Sequence, residues 1–353
     1  MAIETEKILI VRADRLGDVI LTLPVIYALR RAFPRAAISM LLQHYTGAII
    51  EGHPEVADIL WYDADGRPVP FLSMLRTIRA RRFDAVVVVR PTARLAWLMF
   101  LARIRIRIGT GYRYYSLLFT KRVYEHRKDA QRHELEYNLN LLLPLGVGGQ
   151  TSGEPVEYGI QVSSADDQAT LDMLASRGIA PGRPFAVIHP GSGGSAREWQ
   201  IGNLGDLGTR LWVQKKLPIV LTGNAMERER AENLARQIGS GAVSLAGELT
   251  MKQLAALLRR ASVWIGHSTG PLHLAVALGT PVVGLYSQLT PMSPRRWGPY
   301  TTLSRVHVPD KPVDCSLCED GTLGHCPCMD TITVNEVFRS VLDLLSERGI
   351  EIA

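Results

Sequence analysis

A single glycine, Gly17, stands in the turn VRADRLGDVI (residues 11–20) that follows the first apolar run of this 353-residue chain. A dinucleotide-binding turn needs several glycines so that backbone can approach a pyrophosphate, and an acid about 20 residues later to hold a ribose. The second apolar run, AISMLLQH, ends in Gln43 and His44 with no acid, so the dinucleotide reading is excluded here, and Arg12, Asp14, Arg15 and Asp18 must serve another ligand. No apolar run approaches the roughly 18 residues that span a bilayer, and the charged start MAIETEK is not a signal peptide. A cytoplasmic location is therefore expected. Cysteine is scarce: the four fall within CSLCEDGTLGHCPC, as Cys315, Cys318, Cys326 and Cys328. In a cytoplasmic chain such clustering favours a metal over a disulfide framework. The opening C-x2-C is a standard chelating spacing, so these four are the candidate ligands of a structural Zn or Fe site, with reduced thiols or disulfides as the alternative.

Hydrophobic residues make up 46% of the chain and charged residues 21%, a composition that buries sizeable cores. The length fits two domains of about 150 residues. Short apolar runs alternate with amphipathic stretches: KILIVR, then 18–32; AISMLLQ, then 45–51; ADILWY, then 70–81; DAVVVVR, then 93–103. Residues 146–163 carry no helical period and read as a linker, after which FAVIHPG, LPIVLTG, GAVSLAG, SVWIGHS and PVVGLYS restart the pattern. The expectation is α/β, with two Rossmann-like domains whose parallel sheets face a central cleft, over 1–160 and 161–335, and a terminal helix within 336–353.

The net charge of +6 belongs to the first half: residues 1–160 hold 22 Lys+Arg against 16 Asp+Glu, and residues 161–353 hold 18 of each. Within 76–132, 15 basic residues face only Asp84, Glu125 and Asp129. No RNA- or DNA-binding motif accompanies them, so nucleic acid is not the expected partner. A phosphorylated or carboxylated ligand, an anionic membrane surface, or a merely solvated basic face fits equally.

In open parallel sheets ligands bind at the carboxyl ends of strands, and three loops of the second half sit there. FAVIHPGSGGSAREW offers backbone N–H groups, Ser192, Gly193 and Arg197 to a phosphate; the plain alternative is a flexible turn with a surface Arg. In SVWIGHSTGPLHLAVALG, Ser268 or Thr269 can cap a helix that starts at Gly270 with Pro271 and carries His273 in its first turn, which makes an anion site. Two such loops together suit a diphosphate. In LTGNAMERERAE, Glu227 is either a helix-start charge or a ribose-binding carboxylate, and residue chemistry leaves both open.

Taken in order, RADRLGDVILTLPVIYALR, HPGSGGSAREW, GNAMERERAE and GHSTGPLHLAVALGTPVVGLY resemble glycosyltransferase family 9, the lipopolysaccharide heptosyltransferases; GYRYYSLLFTKRV and HELEYNLNLLLPLG extend the likeness. The resemblance implies the GT-B fold, with an acceptor-binding first domain, a nucleotide-sugar-binding second domain and a last helix returning to the first. It implies inverting transfer of heptose from ADP-heptose to a lipopolysaccharide inner-core acceptor, with Asp18 as base and no catalytic cofactor. It further implies that Arg197 binds the diphosphate, Glu227 the ribose, and Thr269, Gly270 and His273 the donor at the helix end. Ser268 departs from the family, whose loop usually has Asp there and uses it on the donor sugar, so a different nucleotide-sugar donor is the alternative; a non-catalytic nucleotide- or oligosaccharide-binding relative is a third reading. The basic stretch 76–132 would meet lipid A, Kdo or core-oligosaccharide anions at the inner face of the inner membrane, with Arg15 and Arg113 as candidate acceptor contacts.

Overall fold

The computed structural model describes residues 6–148, 155–310 and 326–352, which fall into two compact units, Met1–Gln161 and Val162–Ala353. The first unit is built on β1 (Lys7–Val11), β2 (Ala37–Leu42) and β3 (Asp58–Trp61), a small hairpin of β4 (Asp63–Ala64) and β5 (Arg67–Pro68), then β6 (Ala85–Val88), β7 (Ile106–Thr110) and β8 (Lys121–Val123). Its sheet is parallel throughout, in the order β3-β2-β1-β6-β7-β8. Ile8, Leu9, Ile10 and Val11 are all fully buried, as a central strand covered on both faces requires.

The expected helix over 18–32 is two helices, α1 (Leu16–Ile20) and α2 (Leu23–Ala32). Pro24, lacking an N–H and clashing with the carbonyl four residues back, cannot continue α1 and instead opens α2. The break leaves Asp18 on one isolated turn of helix. Then come α3 (His44–Gly47), α4 (Phe71–Arg81), α5 (Ala93–Leu101) and α6 (Glu134–Asn140).

The second unit repeats the plan with β9 (Ala186–His189), β10 (Ile219–Leu221), β11 (Ala242–Ser244), β12 (Val263–His267), β13 (Val282–Leu285) and β14 (Ser304–His307), all parallel, in the order β11-β10-β9-β12-β13-β14. Its helices are α7 (Ser164–Ser176), α8 (Ile201–Lys215), α9 (Arg228–Ile238), α10 (Met251–Arg260), α11 (Gly270–Ala277), α12 (Pro294–Trp297) and α13 (Val334–Glu347). Each sheet has the 3-2-1-4-5-6 order of a doubly wound domain, whose ligand crevice opens where the order reverses. Those points are the ends of β1 and β6 in the first unit, and of β9 and β12 in the second.

The last helix, α13, falls in the second unit, where it packs on α8 and on β12, β13 and β14. Thr333 caps it reciprocally with Glu336, whose carboxylate accepts from the Thr333 N–H at 2.8 Å. Its apolar stripe, Val337, Phe338, Val341, Leu344 and Leu345, is buried in that unit's core beside Trp199 and Leu211. Each such side chain contributes about 1.5–3 kcal/mol by leaving water, so the stripe is fully used inside the second unit.

Candidate active site

At the reversal point of the first sheet the residues after β1 form a closed charge network. Arg12 is 2% exposed; its Nε donates to Asp14 at 2.8 Å, one Nη donates to Asp18, and the other lies 3.8 Å from Glu134. Burial works against its charge, but Asp18, Asp14 and Glu134 outweigh it and raise its pKa. From just past the end of β6, Arg90 reaches Asp14 at 3.4 Å, and Arg127 holds Glu134 at 2.5 Å.

Of the three carboxylates around Arg12, Asp18 is the one with access to solvent, its side chain 17% exposed against 5% for Asp14 and 3% for Glu134. Burial is the largest influence on its carboxyl and pushes it up; Arg12 opposes, Asp14 and Glu134 push further up, and the balance is about 6. The carboxylate therefore ionises near neutrality, where a general base is most effective. Arg15 is exposed at the start of α1, and Arg113 is exposed just before the turn Tyr114–Leu118 that follows β7.

In the second unit the loop after β9 and the loop after β12 lie together: Ser195 Oγ donates to the Ser192 carbonyl at 2.7 Å and lies 3.4 Å from that of Ser268. Gly193 and Gly194 adopt φ of 52° and 74°, left-handed positions that favour glycine. Gly191 is needed for closeness, because a Cβ there would stand 1.8 Å from Glu227 Oε1. Glu227 meanwhile uses Oε2 to accept from the Asn224 N–H at 2.8 Å. It is thus the helix-start carboxylate of the two sequence readings and also a wall of the glycine loop.

The loop is less open than its sequence suggests. Ser192 donates its N–H to Glu198 at 2.8 Å, and Glu198 is held by Arg230 from α9 at 2.7 Å. Burial pushes the Glu198 carboxyl up, but Arg230 and Ser192 hold it below its ordinary value. Arg197 is buried, as are Ser192, Thr269 and His273. Thr269 is the N-cap of the eight-residue α11, yet its side chain makes no capping bond, and its buried Oγ1 has no hydrogen-bond partner. A buried, unbonded hydroxyl at a helix N-terminus, whose first-turn N–H groups have no intrahelical acceptor, suits an anion. Ser268 is half-buried near the phenol of Tyr286, which donates to the Trp297 carbonyl at 2.8 Å.

Cys315 and Cys318 lie outside the described residues. Cys326 and Cys328 are buried, with sulfurs 2.9 Å apart, and among the described residues no three metal-ligating side chains converge.

Glu134, Arg127, Glu198 and Arg230 escaped the sequence reading. HELEYN shows only a helix start, and an ion pair formed across 122 or 32 residues leaves no local periodicity. His267 was visible only as the residue before Ser268; it is fully buried, accepts from the Trp199 N–H, and burial lowers its pKa to about 4.

Residues 71–318, well over half of the chain, match glycosyltransferase family 9 (heptosyltransferase). Lipopolysaccharide heptosyltransferase 3 of Escherichia coli is 26% identical over 292 residues, covering 80% of this chain and 83% of that one. Among solved structures, a family 9 glycosyl transferase of Veillonella parvula superposes with a TM-score of 0.83 at 22% identity, covering 98% of this chain and 99% of its own. The E. coli ADP-heptose LPS heptosyltransferase II does so with 0.79 at 21%, covering 97% and 99%. Two doubly wound units of matching strand order, an ionisable carboxylate after the first strand and an anion-ready helix end after β12 go with this family match: the chain has the GT-B fold and belongs to glycosyltransferase family 9, and it is a glycosyltransferase.

Proposed function

We propose that the enzyme transfers heptose from ADP-heptose to a lipopolysaccharide inner-core acceptor with inversion, Asp18 serving as general base. The observation that carries this reading is the Asp18 carboxylate, held by Arg12 at the reversal point of the first sheet and poised at about 6. In an inverting displacement a carboxylate removes the acceptor hydroxyl's proton while the diphosphate departs from the opposite face. Charge on that diphosphate is taken up by the Thr269 hydroxyl, the N–H groups at Gly270 and the α11 dipole, with Arg197, His273, Ser192 and Gly193 around them. Glu227 accepts from the ribose through Oε1. The names of the two E. coli relatives support heptose, ADP and lipopolysaccharide as the chemistry.

Acceptor anions are met by Arg15 and Arg113, and by a surface suited to an anionic inner-membrane leaflet. Residues 85–124 hold eight Arg or Lys and no Asp or Glu. They expose Trp97 and Phe100 on α5 and Tyr114 and Leu117 on the adjoining turn. No helix among the described residues is long and apolar enough to cross a membrane, so this reading is of peripheral contact at the inner face. The four cysteines are the proposed ligands of a structural Zn or Fe ion with no step of the reaction routed through it; metal analysis of protein purified without chelator tests this, and absence of bound metal overturns it.

Ser268 favours a second reading in which the donor sugar differs, since its hydroxyl is neutral where the family usually has a carboxylate. Thermal shifts with ADP-heptose beside UDP- and GDP-sugars test the two. A selective rise with ADP-heptose supports heptose transfer, because a ligand that binds only the native state stabilises it; selectivity for another nucleotide supports the second. Binding without turnover against any acceptor would leave a non-catalytic relative.

A further inference from the structure

The charge network around Arg12 contains more than Asp18 needs for a simple ion pair. The three faces of the Arg12 guanidinium go to Asp14, Asp18 and Glu134, so one buried cation is divided among three carboxylates. Two of these have a second cation of their own: Arg90 for Asp14 at 3.4 Å and Arg127 for Glu134 at 2.5 Å. Among the described residues Asp18 makes its one ion pair with Arg12, with Arg90 acting on it only at longer range.

A second path joins the same elements. Arg127 Nη1 also donates to Asn138 Oδ1 at 2.9 Å, and Asn138 Nδ2 donates to the Leu21 carbonyl at 3.0 Å and lies 3.3 Å from Thr22 Oγ1. Thr22 Oγ1 in turn donates to the Asp18 carbonyl at 2.8 Å. Helix α6 therefore grips the isolated turn α1 twice, through charge at the Asp18 side chain and through hydrogen bonds at its backbone.

We propose that Glu134 and Arg127 are positioning residues for Asp18: the Glu134–Arg127 pair, acting through Arg12, sets the share of Arg12's charge that reaches the Asp18 carboxylate. This rests on the reading of Asp18 as the base. With Glu134 present, Arg12 is shared away from Asp18, and the second negative charge repels the first in a dry site. Both effects keep the carboxylate basic. The other charged or titratable groups around Asp18 are Arg12, Asp14, Arg90 and Tyr45; all are retained in the variants below.

The two members of the pair carry opposite charge, so their removal has opposite consequences. Glu134→Gln returns Arg12 to Asp18 and lowers the pH at which Asp18 ionises; Arg127→Gln leaves Glu134 fully charged and raises it. A merely structural role would give losses of the same sign in both. The experiment is a carboxyl carbon NMR titration of the full chain, with the Asp18 resonance identified by its disappearance in Asp18→Asn, followed by the pH profile of kcat. Displacements in the two predicted directions support the proposal, and unmoved or parallel midpoints overturn it. Should Glu134→Gln not fold, Arg127→Gln decides alone: a raised midpoint supports, an unmoved one overturns. The base reading fails separately, if Asp18→Asn keeps wild-type turnover or if the acid limb of kcat stays put while the titration midpoint moves.

Discussion

The backbone N–H of Trp199 donates to Nε2 of His267 across 2.8 Å, tying the loop after β9 to the end of β12. An accepting Nε2 requires a neutral ring, and burial holds the His267 pKa at about 4, against Glu198, which favours the charge. The lowered value means that this stability is fully present above the unfolded pKa of about 6.5 and is lost as pH falls through 4. Melting of the second unit should weaken over that window by at most about 3 kcal/mol, followed by calorimetry from pH 7 down to pH 4. His189, also lowered by burial, acts in the same direction, so His267→Gln should reduce the slope and leave some of it.

Asp18 acts with the opposite sign. Its carboxyl is raised from 3.8 to about 6, so the folded state favours the protonated form, and the associated stability is present below about 4 and lost as pH rises through 6. Asp18→Asn should abolish turnover and yet unfold no earlier in urea at pH 7, with a gain of about 1–3 kcal/mol. A variant that loses activity only because it unfolds would contradict this.

Gly191→Ala places a methyl group against Glu227 Oε1. Something must move, and the nearest movable group is the proposed ribose acceptor. Binding of ADP, measured by calorimetry, should weaken by at least tenfold, whereas Gly202→Ala, with open space around the new methyl, should leave it unchanged.

The exposed rings of α5 and the turn after it give a test of the membrane face. Large exposed apolar groups among basic residues mark an interaction surface. Sedimentation with phosphatidylglycerol vesicles should be clear and salt-sensitive, weak with phosphatidylcholine, and lost in the double variant Trp97→Ser, Leu117→Ser. Equal binding to neutral vesicles would contradict the charge argument.

Much of the architecture was legible in the residues because alternation of apolar runs with amphipathic stretches is local information. The β1 and β9 segments, the glycine loop and the helix start at Gly270 all follow from spacing within a few residues. The strands β7, β8 and β14 were not picked out, since IRIGT, KRV and SRVH lack the unbroken apolar run by which the other strands were recognised. Pro24 was equally local, yet its effect, isolating the turn that carries Asp18, depends on how α2 restarts.

What the sequence alone determined is the order of elements and the residue types offered at each strand end: a carboxylate after the first strand, glycines after β9, a helix N-terminus after β12. Only the tertiary structure decided that α13 completes the second unit's core and that Glu198 occupies the Ser192 N–H. It also decided that Arg12 is shared among three carboxylates, one of them 122 residues away. The reason is physical. Periodicity and capping act over one or two turns of chain, whereas the charge on Asp18 is set by groups within a few ångströms, wherever along the chain they come from.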